Sequence, residues 1–520
     1  MKQVRNIEKD GSLEGSSAII DQEIYPNKKQ TKLQSSFNQE NNQQTNNKAS
    51  RSEESNIPQE GSTFIVLANR LPVDSYTDTD GTVKWRRSPG GLVTALEPML
   101  KKREGAWIGW AGGTKKPPEP FKQEGMKIVP IELNQSDVEE YYEGFSNATL
   151  WPLYHDAMVT PTFDRSWWNK YVEVNQRFAN AAAEEAAEGS TVFIQDYQLQ
   201  LVPKMLRELR PDVRIGFFLH IPFPPKELFS QLPWRKRIVE GLLGADLIGF
   251  QVKGAARNFL DLTRDFLGLS PTEKSVVAED GRTVQVDDYP ISISSNTYDE
   301  LARSSEVEKL IHKYLTDIGG NRRVILGVDR LDYTKGIDRR LKAYRELLAD
   351  GVLDPEEVVL VQVAPPSRER VESYAKMREK IEREVGGING EFGRLGYPAV
   401  DYIPRSLNRT ELAALFRIAD IMMVTPIRDG MNLVCKEYVA SRIHCDGNLI
   451  LSEFAGAAQE LKDAWLCNPH DINGMKEVVK AAWDAPEDEQ KRRMSSMRDH
   501  VFEYDIDRWA NDILEALGID

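Results

Sequence analysis

From Thr63 onward the chain alternates between two kinds of segment, and that alternation limits its possible folds more than any other feature. Short β-rich apolar runs read as strands buried on both faces: TFIVLANR (63–70), TVFIQD (191–196), VRIGFFLH (213–220), DLIGF (246–250), RVILGVDR (323–330), EVVLVQVAP (357–365), DIMMVT (420–425) and NLILSE (448–453). Between most of them lie amphipathic stretches such as LVTALEPMLKK, LVPKMLRELR, DRRLKAYRELLAD and RTELAALFRIA, apolar at helical spacing. Fully buried strands joined by helices predict an α/β architecture with doubly wound, parallel sheets. Such sheets take their ligands beyond the carboxyl ends of the strands, so functional residues are expected there.

At 520 residues the chain exceeds a single core and predicts two domains. The Pro- and Ser-containing stretch DDYPISISSNTYDE (287–300) separates two strand-helix series, giving a first domain over 62–292 and a second from 293. Residues 1–61 are rich in Asn, Gln, Ser, Lys and Glu and cannot bury enough apolar surface to order themselves, so a disordered tail is expected. No apolar run reaches the ~18 residues needed to span a bilayer, and the start lacks the apolar core of a secretory signal. Three cysteines without CxxC spacing fit a reducing cytoplasm. The formal net charge of −14 disfavours nucleic acid, so phosphate chemistry needs a local cluster of Arg and Lys and the expected partner is a small anion.

Such clusters occur at strand ends. GVDRLDYTKGIDRR puts Arg330 and Lys335 on one strand-to-helix loop, suited to a diphosphate; the other reading is a solvated basic loop. TPIRDGMNLVCKEYVASR carries Asp429 and Gly430 on a loop and opens a helix at about Met431. The N–H groups of Asn432, Leu433 and Val434 could receive phosphate oxygens, and Glu437 could accept from ribose hydroxyls or be an ordinary helix-surface residue. In SPGGLVTALEPML, Gly90 and Gly91 precede a helix and allow close approach to an anion, or simply make a turn. Arg70, Asp196 and His220 each follow an apolar run, as a ligand crevice requires; for His220 alone a structural role is equally open. Tyr142 and Trp151 lie in an aromatic segment suited to sugar stacking or to core packing, and Trp167 and Trp168 are assigned to packing.

The ordered set ANRLPV, SPGGL, FSNATLWP, QDYQLQLVP, FFLHIPFP, GFQ, VDRLDYTKGI, APPSR, INGEFG and TPIRDGMNLVCKEYVA resembles the trehalose-6-phosphate synthases, retaining glycosyltransferases of family 20, from about residue 63 to beyond 460. The resemblance implies a GT-B fold, two Rossmann-like domains facing across a deep cleft. The first (62–292) would take the acceptor and the second (293–500) the sugar nucleotide, with a helix over 501–520 crossing back. It implies that Arg70, Tyr142, Trp151 and Arg368 hold the phosphate of glucose 6-phosphate, and that Asp196 binds the acceptor sugar. Arg330 and Lys335 would grip the donor diphosphate, approached by Gly90 and Gly91, with Glu437 on ribose. His220 and Asp429, with backbone from Gly430 through Met431, Asn432 and Leu433 to Val434, would hold the transferred glucose. His220, Asp196, Arg330, Lys335 and Asp429 are thus the expected catalytic set. The implied reaction transfers glucose from UDP-, ADP- or GDP-glucose to glucose 6-phosphate with retention, giving α,α-trehalose 6-phosphate.

No cofactor and no metal are expected: the DxD-like strings Asp78-Thr79-Asp80 and Asp505-Ile506-Asp507 read as surface residues. The family resemblance implies a homodimer or homotetramer, and a separate phosphatase to consume the product. Gln195 and Gln198 stand where many relatives carry His, with a small effect expected, and Ser294 or its neighbour stands where a family aspartate is common. Two other readings share the fold: a pseudo-glycosyltransferase coupling cyclitol substrates, which the set Arg70, Tyr142, Trp151 and Arg368 disfavours, and a non-catalytic sugar-phosphate sensor, which the retained Arg330, Lys335 and Glu437 disfavour.

Overall fold

The computed structural model describes residues 61–77, 83–87, 91–114, 116–368 and 371–519. The expected tail, apart from Gly61, lies outside these residues, as do Asp78 to Asp80 and Gly90.

Among the described residues seventeen strands form two large sheets and one small hairpin. The first series is β1 (Ser62–Arg70), β2 (Val73–Thr77), β3 (Val83–Arg87), β4 (Ala106–Trp110), β5 (Phe121–Gln123), β6 (Met126–Ile131), β7 (Ala186–Gln195), β8 (Arg214–Phe218), β9 (Leu247–Phe250), β10 (Ser275–Val277) and β11 (Thr283–Asp288). The second series is β12 (Arg323–Val328), β13 (Val358–Val363), β14 (Val400–Ile403), β15 (Ala419–Val424), β16 (Asn448–Ser452) and β17 (Trp465–Cys467). In the first sheet the parallel strands run β6-β4-β1-β7-β8-β9-β11, edged by antiparallel β5 and β10; β2 and β3 pair only with each other. The second sheet, β14-β13-β12-β15-β16-β17, is parallel throughout.

Both orders reverse direction once, between β1 and β7 in the first sheet and between β12 and β15 in the second. At such a reversal the loops leave in opposite directions and open a crevice beyond the strand ends. The fold thus predicts ligand positions just after Arg70, Gln195, Val328 and Val424.

Alternation along β1 sorts its side chains: Ile65 and Leu67 join a core shared with the aromatic helices, while Phe64, Val66 and Ala68 join a second core. That second core is continuous with Val324, Leu326, Met422 and Val424 of the other sheet and with Trp509, Ile513 and Leu517 near the carboxyl terminus. One apolar layer therefore ties the two sheets together.

The chain passes from the first sheet to the second after Asp288, through helices Ser295–Ala302 and Ser305–Asp317. The buried Lys436 ammonium donates to the Ile291 carbonyl in that passage, 2.9 Å away, and pairs with Glu460 at 2.8 Å. The helix expected over 501–520 is two elements. Glu487–Glu503 ends at Tyr504, and Ile506–Ala516 begins again with Asp505 as its cap, accepting from the N–H groups of Asp507 and Arg508. The DID string is a helix start. The second helix lies on the first sheet: the Trp509 indole N–H donates to the Tyr289 carbonyl at 3.1 Å, its ring meets Phe218 edge-on at 5.4 Å, and Leu517 covers Gly216. Trp168 stacks on Trp234 at 5.0 Å, in the packing role expected for it. No described helix is long and apolar enough to cross a membrane.

Trp509 is buried across this junction, so Trp509→Ala is expected to cost about 3–5 kcal/mol. The denaturant midpoint of the full chain should fall accordingly.

Candidate active site at the facing strand ends

At the end of β1, buried Asn69 accepts from the Tyr141 hydroxyl at 2.9 Å, which fixes the strand terminus. The next residue, Arg70, is exposed; its guanidinium lies 5.0 Å over Trp110 and 3.3 Å from Asp74. A Cβ at Gly112 would come 2.1 Å from that guanidinium, so the glycine makes room for it. Tyr142 meets the same Trp110 ring at 5.5 Å.

At the end of β7, Asp196 takes φ 72° and ψ 173°, a conformation sparsely populated outside glycine. The surrounding structure holds it there: its N–H donates to the Phe218 carbonyl at 2.8 Å, and its Oδ1 accepts from the His220 N–H at 3.2 Å. Burial pushes the carboxyl up to about 6, although the His220 and Tyr197 N–H groups, Arg368 and Arg330 favour its charge. His220, after β8, has Nε2 2.9 Å from the Gln195 Oε1, so one ring nitrogen expected to face a sugar is taken by the protein. Burial lowers its pKa to about 3, and the imidazole is neutral.

The helix Asp137–Leu150 is of the rare π type, a form that clusters at functional sites, and it delivers Tyr142 and then Trp151. The buried Trp151 indole N–H has no hydrogen-bond partner among the described residues. The His155 ring lies 4.2 Å from the Trp151 ring, tilted by 32°, with Nδ1 2.8 Å from the Trp151 carbonyl. Burial lowers its pKa to about 4, against the pull of that carbonyl and of Asp332 and Asp429 from the other sheet.

On the second sheet, β12 leads into Asp329, which is buried and paired with Arg340 at 2.8 Å, and then into exposed Arg330, for which the described residues provide no ion-pair partner. Asp332 caps the turn Tyr333–Lys335 by accepting from the Thr334 N–H at 3.0 Å. Gly336 follows at φ 62°, where a Cβ would also strike the Thr425 carbonyl at 2.2 Å. That turn aims Lys335 at Asp429 with an N–O distance of 2.6 Å. Burial opposes the Asp429 charge, but Lys335 and the Asn432 amide outweigh it and hold the carboxyl below its usual range.

The helix after this loop starts later than the sequence predicts, at Leu433 rather than about Met431. Asn432 is its cap, at φ 86°, and its side chain accepts from the Cys435 N–H at 3.1 Å. Of the N–H groups expected to face phosphate, only those of Leu433 and Val434 lie in the first turn, where no carbonyl one turn back can accept from them. Glu437 is half-buried and accepts from the Tyr298 hydroxyl; burial raises its carboxyl pKa, and Tyr298 and Arg409 oppose that. Gly91 opens the helix Gly91–Arg103.

The two strand-end groups meet. A Cβ on Gly430 would lie 2.3 Å from the His220 carbonyl oxygen, so loop backbone from the second sheet touches backbone of the first. The Arg368 guanidinium crosses the same boundary, 3.9 Å over Trp151 and 3.2 Å from the Tyr197 hydroxyl, while also touching Tyr374 and, at 3.5 Å, Asp332. Arg428 approaches Asp156 at 3.6 Å. Within this cluster stand residues that the sequence reading did not single out: His155, Tyr197, Tyr298, Asp332 and Tyr374; Gln195, noted there only as a departure from relatives that carry His, joins them. Asp332 had a local signal, Asp two residues before Thr in LDYTKG, the pattern of a capped turn. Among the described residues no group of three or more His, Cys, Asp or Glu could hold a metal ion.

Gly430→Ala places its methyl group against backbone that cannot rotate away. The variant should keep its far-ultraviolet circular dichroism and lose about 10²-fold or more in turnover, because the two strand-end groups can no longer approach.

Comparison with known proteins agrees with this geometry. A model of glycosyltransferase family 20 matches residues 62–518. The chain is 56% identical over 472 residues to a trehalose-6-phosphate synthase of Mycolicibacterium vanbaalenii, covering 88% of this chain and 96% of that one. Among solved structures, an E. coli structure bound with UDP-2-fluoro glucose superposes with a TM-score of 0.80 at 33% identity, covering 87% of this chain and 98% of that one. An α,α-trehalose-phosphate synthase (UDP-forming) from Burkholderia xenovorans in complex with glucose 6-phosphate gives 0.80 at 34%, covering 88% and 99%. These neighbours share the two-sheet arrangement, and the chain belongs to glycosyltransferase family 20.

Proposed function

We propose that the chain transfers glucose from UDP-glucose to glucose 6-phosphate with retention, giving α,α-trehalose 6-phosphate and UDP. The observation that carries this reading is the meeting of Gly430 with the His220 carbonyl, which brings the cations of one sheet's loops opposite Asp196 and Trp151 of the other. The neighbours that hold a uridine sugar nucleotide and glucose 6-phosphate support the choice of substrates.

In this reading the donor diphosphate lies between Arg330, Lys335 and the first-turn N–H groups of Leu433 and Val434, where helix dipole and two cations favour negative charge. Lys335 exchanges Asp429 for a phosphate oxygen, and Asp429 then accepts from a hydroxyl of the transferred glucose. Glu437 accepts from ribose in place of the Tyr298 hydroxyl, and Gly91 approaches the diphosphate. Arg70, Tyr142, the unpartnered Trp151 indole N–H and Arg368 take the acceptor phosphate, and Asp196 binds the acceptor sugar.

The bond from the glucose anomeric carbon to the diphosphate breaks, and the acceptor's anomeric hydroxyl oxygen bonds to that carbon on the same face. Its proton passes to the departing diphosphate oxygen. No carboxylate nucleophile is required. Arg330, Lys335 and the helix start stabilise the leaving diphosphate as charge develops, and their positive charge meets that need without a metal. The boundaries 62–292, 293–500 and 501–520 are proposed as acceptor domain, nucleotide domain and returning segment. The enzyme is proposed to work in the cytoplasm as a homodimer or homotetramer, its product passing to a separate phosphatase.

Arg330→Ala and Lys335→Ala should each lower turnover by about 10²-fold or more while the chain still folds, with some loss of melting temperature in Lys335→Ala because Asp429 is left unpaired. Near-normal turnover in either variant contradicts leaving-group stabilisation by that residue. Ionised Asp196 is the stronger acceptor for the sugar hydroxyl. As pH falls through about 6 the carboxyl takes up a proton, so kcat/KM for glucose 6-phosphate should decline on the acid side with that midpoint. A flat profile down to the point of acid unfolding contradicts the assignment of Asp196.

A further inference from the structure

We propose that Gln195 is a positioning residue that fixes His220 in its Nε2–H tautomer, leaving Nδ1 as the hydrogen-bond acceptor for a hydroxyl of the transferred glucose. The identity of that sugar rests on the reading above; the tautomer does not.

Gln195 ends β7 beside the strained Asp196 and is 1% exposed, so its amide has no water to satisfy it. Its Oε1 stands 2.9 Å from the His220 Nε2. Carbonyl oxygen accepts only, and the contact therefore requires a proton on Nε2. A neutral imidazole carries one proton, so Nδ1 keeps its lone pair. The described residues supply no partner for Nδ1, and His220 is only half-buried.

The rest of His220 cannot turn to undo this choice. Its N–H donates to Asp196 Oδ1 at 3.2 Å, its carbonyl faces Gly430, and its ring rests 4.7 Å from Phe218. Backbone, ring plane and one ring nitrogen are thus all fixed by the protein. The free nitrogen is an acceptor that suits a hydroxyl and repels phosphate oxygen, which sorts sugar from diphosphate along the donor.

The Gln195 amide nitrogen completes the argument. It is buried without a partner among the described residues, a desolvation cost that an apolar residue would avoid. For packing alone Leu would serve better, so the amide fits a need for the oxygen on His220.

The test is a long-range nitrogen-15 to proton correlation spectrum of the histidine-labelled full chain between pH 6 and 8, with His220 assigned by comparison with His220→Asn. The Nε2–H pattern is expected. An Nδ1–H pattern overturns the proposal. Gln195→Leu should lose the tautomer preference and raise KM for UDP-glucose about 10-fold, more than it lowers kcat, with melting temperature as the check on folding. Gln195→Glu, which keeps an accepting oxygen, should retain the Nε2–H pattern. Wild-type tautomer and KM in Gln195→Leu also overturn the proposal. A wild-type chain that transfers nothing from UDP-glucose contradicts the functional reading alone, because the tautomer is read without turnover.

Discussion

Where Gly430 presses on the His220 carbonyl, backbone from a loop of one sheet meets backbone from a loop of the other, and the rest of the site is arranged around that contact. A methyl group there would lie 2.3 Å from the His220 carbonyl oxygen and force the sheets' loops apart. The absence of one lets Asp429 and the Leu433 helix start stand across from Asp196 and His220. The shared apolar layer and the Trp509 helix supply the force that holds the sheets together; Gly430 sets how closely they meet.

The charges at this meeting point are held by one another. Lys335 is paired with Asp429, and Arg368 lies among Asp332, Tyr374, Tyr197 and Trp151. Half-buried cations and carboxylates need such partners, because each alone carries a large desolvation cost. Substrate phosphates can take over the cations one at a time, releasing carboxylates that suit sugar hydroxyls. Arg330 differs in standing exposed, with its field reaching both Asp196 and Asp332. In the proposed reaction it is the group free to meet the donor first.

Much of this was legible in the sequence, for reasons that also explain what was not. Short apolar runs announce β1, β7, β8, β9, β12, β13, β15 and β16, and the carboxyl ends of β1, β7, β12 and β15 announce Arg70, Asp196, Arg330 and Asp429. β4 (AWIGW) is fully buried but carries Gly and two Trp, β6 includes Lys127 and Pro130, and β11 alternates exposed and buried positions, so none reads as a continuous apolar run. The late helix start at Leu433 escaped notice because Asn432 spends its side chain on a cap in a left-handed conformation, which composition does not reveal. Arg368 was placed by family resemblance alone; its partners Tyr197 and Trp151 are far away in sequence, and only the folded chain joins them. His155 looks like one more residue of an aromatic segment until its ring is seen against that of Trp151.

Two half-sites that close on each other should pass glucose from one ligand to the other rather than to water. The most direct measurement is nuclear magnetic resonance identification of the product formed from UDP-glucose and glucose 6-phosphate. The account predicts a single non-reducing disaccharide phosphate, both anomeric centres α, formed in step with UDP release. Free glucose with UDP, a reducing disaccharide or an inverted linkage would contradict it.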